Sequence, residues 1–225
     1  MKNTQLTHNS KTFGKKLLDT YSYRLKNVRL NWCKQIVNII TEAGYKNKKN
    51  IKINDLGCNY FQLFKEIKHK KLNYDYFGYD IDKKFVDLGL EYFPELNNRF
   101  KILNIENHQP RKCNISVTSA TLEHCENPSK FLKNIFSSTS DLVILRTFLG
   151  KKDIVKLYKN KKIISNPYLI NQFSFEMIVH EFLNNNFIPS IYLDEATDKS
   201  KTYEVNKGSG IKRNFFIIVG TKIIS

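Results

Sequence analysis

The sequence predicts an α/β domain built on a mostly parallel sheet. Three observations support this. Residues 51–61, IKINDLGCNYF, open as a short β-branched apolar run, break at Asp55-Leu56-Gly57 and pass into a helical pattern, giving strand, tight turn and helix start. Residues 74–80 form a second strand-like segment that ends, like the first, on a carboxylate, Asp80. The chain closes with two strand-like segments, 187–193 and 213 onwards, joined by a polar loop with no helix between them. That arrangement suggests an antiparallel hairpin at the sheet edge.

The first dozen residues are polar and are expected to be mobile. From about Lys16, apolar residues recur at three- and four-residue steps through Leu18, Tyr21, Leu25, Val28, Trp32, Ile36 and Ile39, predicting one long amphipathic helix or two short ones ending near Gly44. Packing on the core is the expected role of Leu25 and Trp32. A Lys/Asn linker leads to the first strand at 51–56. The helix from Tyr60 to about His69 buries Phe61, Leu63, Phe64 and Ile67. After the second strand, Asp82 is placed to cap a helix over 83–92, which Pro94 ends. Residues 99–103 read as a third strand and 114–119 as a fourth. Asn127-Pro128-Ser129 starts the next helix, with Phe131, Leu132, Ile135 and Phe136 inward. Residues 141–145, DLVIL, form a buried fifth strand, with Arg146, Thr147 and Phe148 expected just beyond its end and pointing towards the crevice. Residues 151–167 read as basic and irregular. Ser174 then caps a helix whose apolar face is Phe175, Ile178, Val179, Phe182 and Leu183.

Composition narrows the function classes. The chain has 225 residues, enough for one ordinary domain, and 41% are hydrophobic. No stretch is long and apolar enough to cross a bilayer, and the N-terminus lacks the apolar core of a secretory signal. Four scattered cysteines without a C-x-x-C pair fit reduced thiols in a cytoplasmic chain and give no sign of a zinc site. The net charge of +16 invites a nucleic-acid reading, but it comes mostly from dispersed lysines, with only six arginines. Nothing in the sequence sets the oligomeric state.

The strand-end motifs carry a family resemblance. Asp55 and Gly57 resemble the first motif of class I S-adenosylmethionine-dependent methyltransferases, an acidic residue followed by spaced glycines; Asn59 and Phe61 stand where later glycines would be. Asn tolerates positive φ, so Asn59 is a plausible substitute. Gly78-Tyr79-Asp80-Ile81-Asp82 is similar to the second motif, with Asp80 lying 25 residues after Asp55. An acidic residue there is placed to bind the ribose hydroxyls of a nucleotide-like cofactor. Ser119-Ala120-Thr121-Leu122-Glu123-His124 is similar to the fourth motif.

The resemblance covers residues 51–220. It implies a Rossmann-like three-layer sandwich whose seven-stranded sheet runs 3-2-1-4-5-7-6 with an antiparallel last strand. It divides the chain into an N-terminal helical extension, residues 1–50, and a catalytic domain, residues 51–225. It implies S-adenosylmethionine as cofactor, held by Asp55, Gly57, Asn59, Asp80, Ile81, Asn104, Ile105, Ser119 and Ala120, and S-adenosylhomocysteine as product. Glu123 and His124 are the catalytic candidates, His for its pKa near neutrality. Tyr21, Tyr23 and Arg24, on a helix expected to lie over the site, are candidates to touch substrate. Arg146 is a candidate for an anionic substrate or for an internal ion pair. No metal is implied. The expected acceptor is a small molecule or a sugar-type glycan precursor. An RNA methyltransferase, supported by charge alone, and a non-catalytic S-adenosylmethionine-binding protein are the alternatives.

Overall fold

A computed structural model describes residues 15–158, 167–197, 204–205 and 208–223. The expectation for the first dozen residues, and the second half of the basic stretch before Pro167, residues 159–166, lie outside these. The N-terminal period resolves into two helices, α1 (Lys15–Asn27) and α2 (Asn31–Ile40), followed by a single π-turn, Thr41–Tyr45. Strand β1 (Lys52–Leu56) then leads through the Gly57 turn to α3 (Gln62–His69). Next come β2 (Asp75–Asp80), α4 (Lys83–Leu90), β3 (Phe100–Ile102), β4 (Cys113–Ser119) and α5 (Pro128–Ser138). The C-terminal half adds β5 (Thr139–Gly150), β6 (Ile154–Tyr158), β7 (Tyr168–Ser174), α6 (Phe175–Asn184), β8 (Phe187–Leu193) and β9 (Phe215–Lys222).

The sheet runs β3-β2-β1-β4-β5-β9-β8. The pairs from β3 to β5 are parallel, while β9 is antiparallel to both β5 and β8. This is the expected seven-strand order, with β8 and β9 as the sixth and seventh members. Side chains alternate between two cores. Ile53, Leu142, Ile144, Ile217 and Val219 face Ile36, Val37, Leu63, Ile67 and Phe85 of α2, α3 and α4. Val143, Leu145 and Ile218 face Leu132, Ile135, Ile178 and Phe182 of α5 and α6. The sheet is thus covered on both faces, which is why its strands read as nearly continuous apolar runs. The two N-terminal helices share the first of these cores: Tyr21 and Leu25 of α1 belong to it.

Two expectations about strands are corrected. The fifth strand does not stop at Leu145; it continues to Gly150, so Arg146, Thr147 and Phe148 lie within it, paired to Ile217, Phe216 and Phe215 of β9. Residues 151–167 are not wholly irregular. β6 and β7 form an antiparallel hairpin, and β7 adds in parallel to the end of β5 beyond its β9 pairing, through Leu149↔Phe173 and Gly150↔Ser174. Among the described residues the sheet therefore has nine strands. Ile-Val-Lys-Leu-Tyr in β6 lacks clean alternation, and a long polar segment separates it from its partner, so periodicity could not reveal the pair. Among the described residues, no helix is long and apolar enough to cross a membrane.

Candidate functional site

The carboxyl ends of β1, β2, β4 and β5 converge on a cavity of about 550 Å³. Its shape begins with the turn after β1. Gly57 has φ +82°, and a Cβ there would sit 2.0 Å from Thr121 Oγ1, so glycine is required both for conformation and for space. Asn59 takes φ 51° and Phe61 φ 61°, so the two residues standing in for glycines both adopt the left-handed conformation. Phe61 is therefore the residue before α3 rather than part of its first turn, and its ring is fully buried. Gly57 and Cys58 both donate their backbone N–H groups to the Tyr79 carbonyl, at 2.8 and 2.9 Å, tying the turn to β2.

The two strand-end carboxylates belong to adjacent parallel strands, in a register that places Asp55 opposite Gly78, and both border the cavity. Asp55 is 5% exposed and accepts the Tyr76 hydroxyl at 2.7 Å. Burial pushes its pKa up to about 7; the Tyr76 hydrogen bond opposes this and the nearby Asp80 charge adds to it. Asp80 accepts the N–H groups of Asn59 and Asp82, at 2.8 and 2.9 Å. Burial raises its pKa to about 6 against those bonds. Asp82 caps α4 by accepting from Lys84 N–H, so the two aspartates of this segment hold different posts.

Ile81, Asn104, Ile105, Ser119 and Ala120 also border the cavity. Asn104 Oδ1 accepts the Glu106 N–H at 2.9 Å, and Ala120 takes φ 54°, bending the chain away from the end of β4. The turn that follows, Leu122–His124, carries both catalytic candidates. Glu123 is 1% exposed and accepts the Thr147 hydroxyl at 3.0 Å; burial lifts its pKa to about 7. His124 Nδ1 lies 2.8 Å from the Leu169 carbonyl, which can only accept, so this nitrogen carries the proton. Burial pushes the imidazole pKa down to about 4, so the ring is neutral near pH 7.

Of the three residues proposed from the first helix, Tyr21 and Arg24 border the cavity, whereas Tyr23 is 62% exposed on the other side of α1 and does not. Arg146 borders the cavity, but its Nε and Nη2 both donate to the Asp194 carboxylate at 3.0 Å: the internal ion pair is the arrangement present. Phe148, expected to point towards the crevice, borders the cavity, whereas Thr147, expected there too, is fully buried and donates to Glu123. The rest of the wall was not foreseen: Trp32, expected only to pack, also faces the cavity, as do Tyr168, Ile170, Arg213 and Phe215. These unforeseen residues come from three separate segments, and nothing local in the sequence marks them. Among the described residues, no group of three His, Cys, Asp or Glu side chains is arranged to hold a metal.

Among solved structures the chain resembles a Methanosarcina mazei S-adenosylmethionine-dependent methyltransferase (TM-score 0.59, 16% identity, covering 83% of this chain and 98% of that one). The chain has the class I methyltransferase fold. It is also similar to magnesium protoporphyrin IX methyltransferase from Synechocystis, solved with bound S-adenosylmethionine (TM-score 0.56, 15% identity, covering 85% and 78%). A third likeness is to an amino pentose methyltransferase from Micromonospora echinaspora (TM-score 0.59, 8% identity, covering 92% and 97%). No family model matches the sequence, and no curated protein matches it. The chain therefore shares this fold at 8–16% identity with the three proteins named.

Proposed function

We propose that this protein is an enzyme that transfers a methyl group from S-adenosylmethionine to a small-molecule acceptor. The observation that carries this reading is the placing of Asp55 and Asp80, which end neighbouring parallel strands and border one cavity at the switch in strand order between β1 and β4. Two further features fit that cofactor. Asn59 Oδ1 is buried beside the cavity without a hydrogen-bond partner, an acceptor suited to a ligand N–H or O–H. The acidic groups Asp55, Asp80 and Glu106 line this end, which suits a positively charged ligand.

S-adenosylmethionine supplies an electrophilic methyl group on a positively charged sulfur. In this reading Asp80 holds ribose hydroxyls, Ile81 and Ile105 pack on the adenine, and Asn104 accepts from its amino group. Ser119 and Ala120 border the methionine part, and Asp55 with the Gly57–Asn59 turn receives its polar end. Tyr21 and Arg24 of α1 close the site from above and exclude water. Of the two catalytic candidates, Glu123 is the stronger base near neutrality. His124, already bonded to the hairpin carbonyl, orients the wall. Because the sulfonium is a good leaving group, alignment of the acceptor supplies much of the acceleration. Arg146 is neutralised by Asp194 and serves the wall rather than an anionic group.

The test is calorimetry with S-adenosylmethionine and S-adenosylhomocysteine, followed by an acceptor screen read by S-adenosylhomocysteine release. Binding of neither ligand would sink the proposal.

A further inference from the structure

The acceptor end of the cavity is walled by flat groups held in a stack. The Arg146 guanidinium carbon lies 3.7 Å from the ring centroid of Phe215 and 5.6 Å from that of Trp32. Phe215 in turn packs on Phe148, with ring centroids 4.2 Å apart and planes inclined by 35°. All four border the cavity, and Tyr168 joins them from the β6–β7 hairpin, its ring edge-on to His124 at 5.6 Å.

The stack is fixed from behind. Asp194 grips Arg146 with two bonds of 3.0 Å, and the segment carrying Asp194 is itself clamped to α2. There Gln35 Nε2 donates to the Leu193 carbonyl at 2.8 Å, and Gln35 Oε1 accepts the Glu195 N–H at 2.9 Å. With its charge matched by Asp194, the guanidinium offers a planar face rather than an anion site.

Such a wall discriminates between acceptor classes. The Phe148 and Phe215 rings and Ile170 provide no hydrogen bonds, those of Arg146 are largely spent on Asp194, and the polar atoms of Trp32 and Tyr168 sit at the ring edges, with Arg213 bordering the cavity beside them. A polyhydroxylated sugar pressed against these ring faces would bury more hydroxyls than the wall has partners for, and each unmatched one weakens binding. A flat ring meets no such cost and gains stacking. We infer that the acceptor is a compact planar aromatic or heteroaromatic compound bearing a hydroxyl or amine, and that it lies against the wall formed by Trp32, Arg146, Phe148, Tyr168 and Phe215. The inference rests on the methyltransferase reading, since it assigns the second ligand of that site.

Trp32 is the only tryptophan of the chain, so its emission reports on this wall directly. The full-length protein is saturated with S-adenosylhomocysteine, saturation being checked by calorimetry. It is then titrated with 8-hydroxyquinoline and catechol as planar probes, and with methyl glucoside as the sugar probe. The planar probes should quench Trp32 saturably and bind at least about fivefold more tightly than the glucoside, the low end of the cost of one unmatched hydroxyl. Phe148→Leu should weaken the planar probes by about fivefold, the scale of a lost aromatic pair, with S-adenosylhomocysteine affinity retained. If that variant does not fold, hydrogen exchange on the unaltered protein replaces it, with slowed exchange at residues 168–174 expected on adding a planar probe. Glucoside binding as tight as that of the planar probes, or S-adenosylhomocysteine binding with no planar probe bound, overturns the inference and leaves the methyltransferase reading intact. Failure of S-adenosylhomocysteine itself to bind removes both.

Discussion

Replacing Asp194 by alanine tests how the acceptor wall is held. Arg146 is 7% exposed, and its fork is closed by two 3.0 Å bonds to a carboxylate that also accepts from Thr197. Removing the carboxylate leaves a guanidinium in a buried place with, among the described residues, the Phe215 and Trp32 faces, a 3.4 Å contact to Ser119 Oγ and the more distant charge of Glu123 for compensation. Breaking a buried pair in this way costs about 3–5 kcal/mol. For a domain of this size each kcal/mol moves the thermal midpoint by about 2–4 °C, so a fall of about 10 °C is expected. The measurement is thermal and urea unfolding of Asp194→Ala beside the double variant Arg146→Met/Asp194→Leu. The latter removes both charges and should recover most of the loss, because the desolvation of the pair disappears with it. The pH dependence has a definite sign. Burial alone would raise the Asp194 pKa, but the hydrogen bonds and charge of Arg146 hold it below the usual carboxylate range. Its contribution is therefore present above the unfolded value of about 4 and is lost as pH falls through the lower folded value. A loss below about 1 kcal/mol, the range of a solvated surface pair, would refute the claim that this pair is a buried support.

Three further outcomes follow from the cofactor end. Asp80→Ala should weaken S-adenosylmethionine binding by about 1–3 kcal/mol in calorimetry. It should also loosen the turn, because Asn59 and Asp82 N–H groups lose their acceptor, and an unchanged affinity would count against the second-motif assignment. Asp55→Asn should stabilise the ligand-free protein in alkali. The folded carboxyl, pushed up to about 7, costs stability progressively as pH rises from about 4 and fully above 7. The midpoint gain should thus be largest near pH 8 and absent near pH 4, and a gain independent of pH would contradict this. Gly57→Ala should lower stability by about 1–3 kcal/mol from its positive φ alone. Adding Thr121→Ala should relieve the clash but not the backbone strain, so full recovery in urea unfolding would show that strain is absent.

What the sequence determined by itself was local or periodic. The strand–turn–helix at Asp55-Leu56-Gly57, the second carboxylate at Asp80, the cap at Asp82 and the terminal antiparallel pair are each written in a few adjacent residues, where propensity, capping and alternation act. Those signals carried the resemblance to class I methyltransferases, and it was the resemblance that implied the order of seven strands and a set of cavity-facing residues running from Tyr21 to Arg146. Tertiary structure alone decided the rest. The end of β5 extends because β9, some seventy residues later, pairs with it, and β7 adds to the overhang that this leaves. Arg146 finds Asp194 across forty-eight positions of chain, and Trp32, Phe148, Tyr168 and Phe215 meet only once four elements have packed. An isolated arginine or phenylalanine looks the same in sequence whether it fills a core or faces a ligand. Its neighbours are set by long-range burial, which leaves no mark at short spacing.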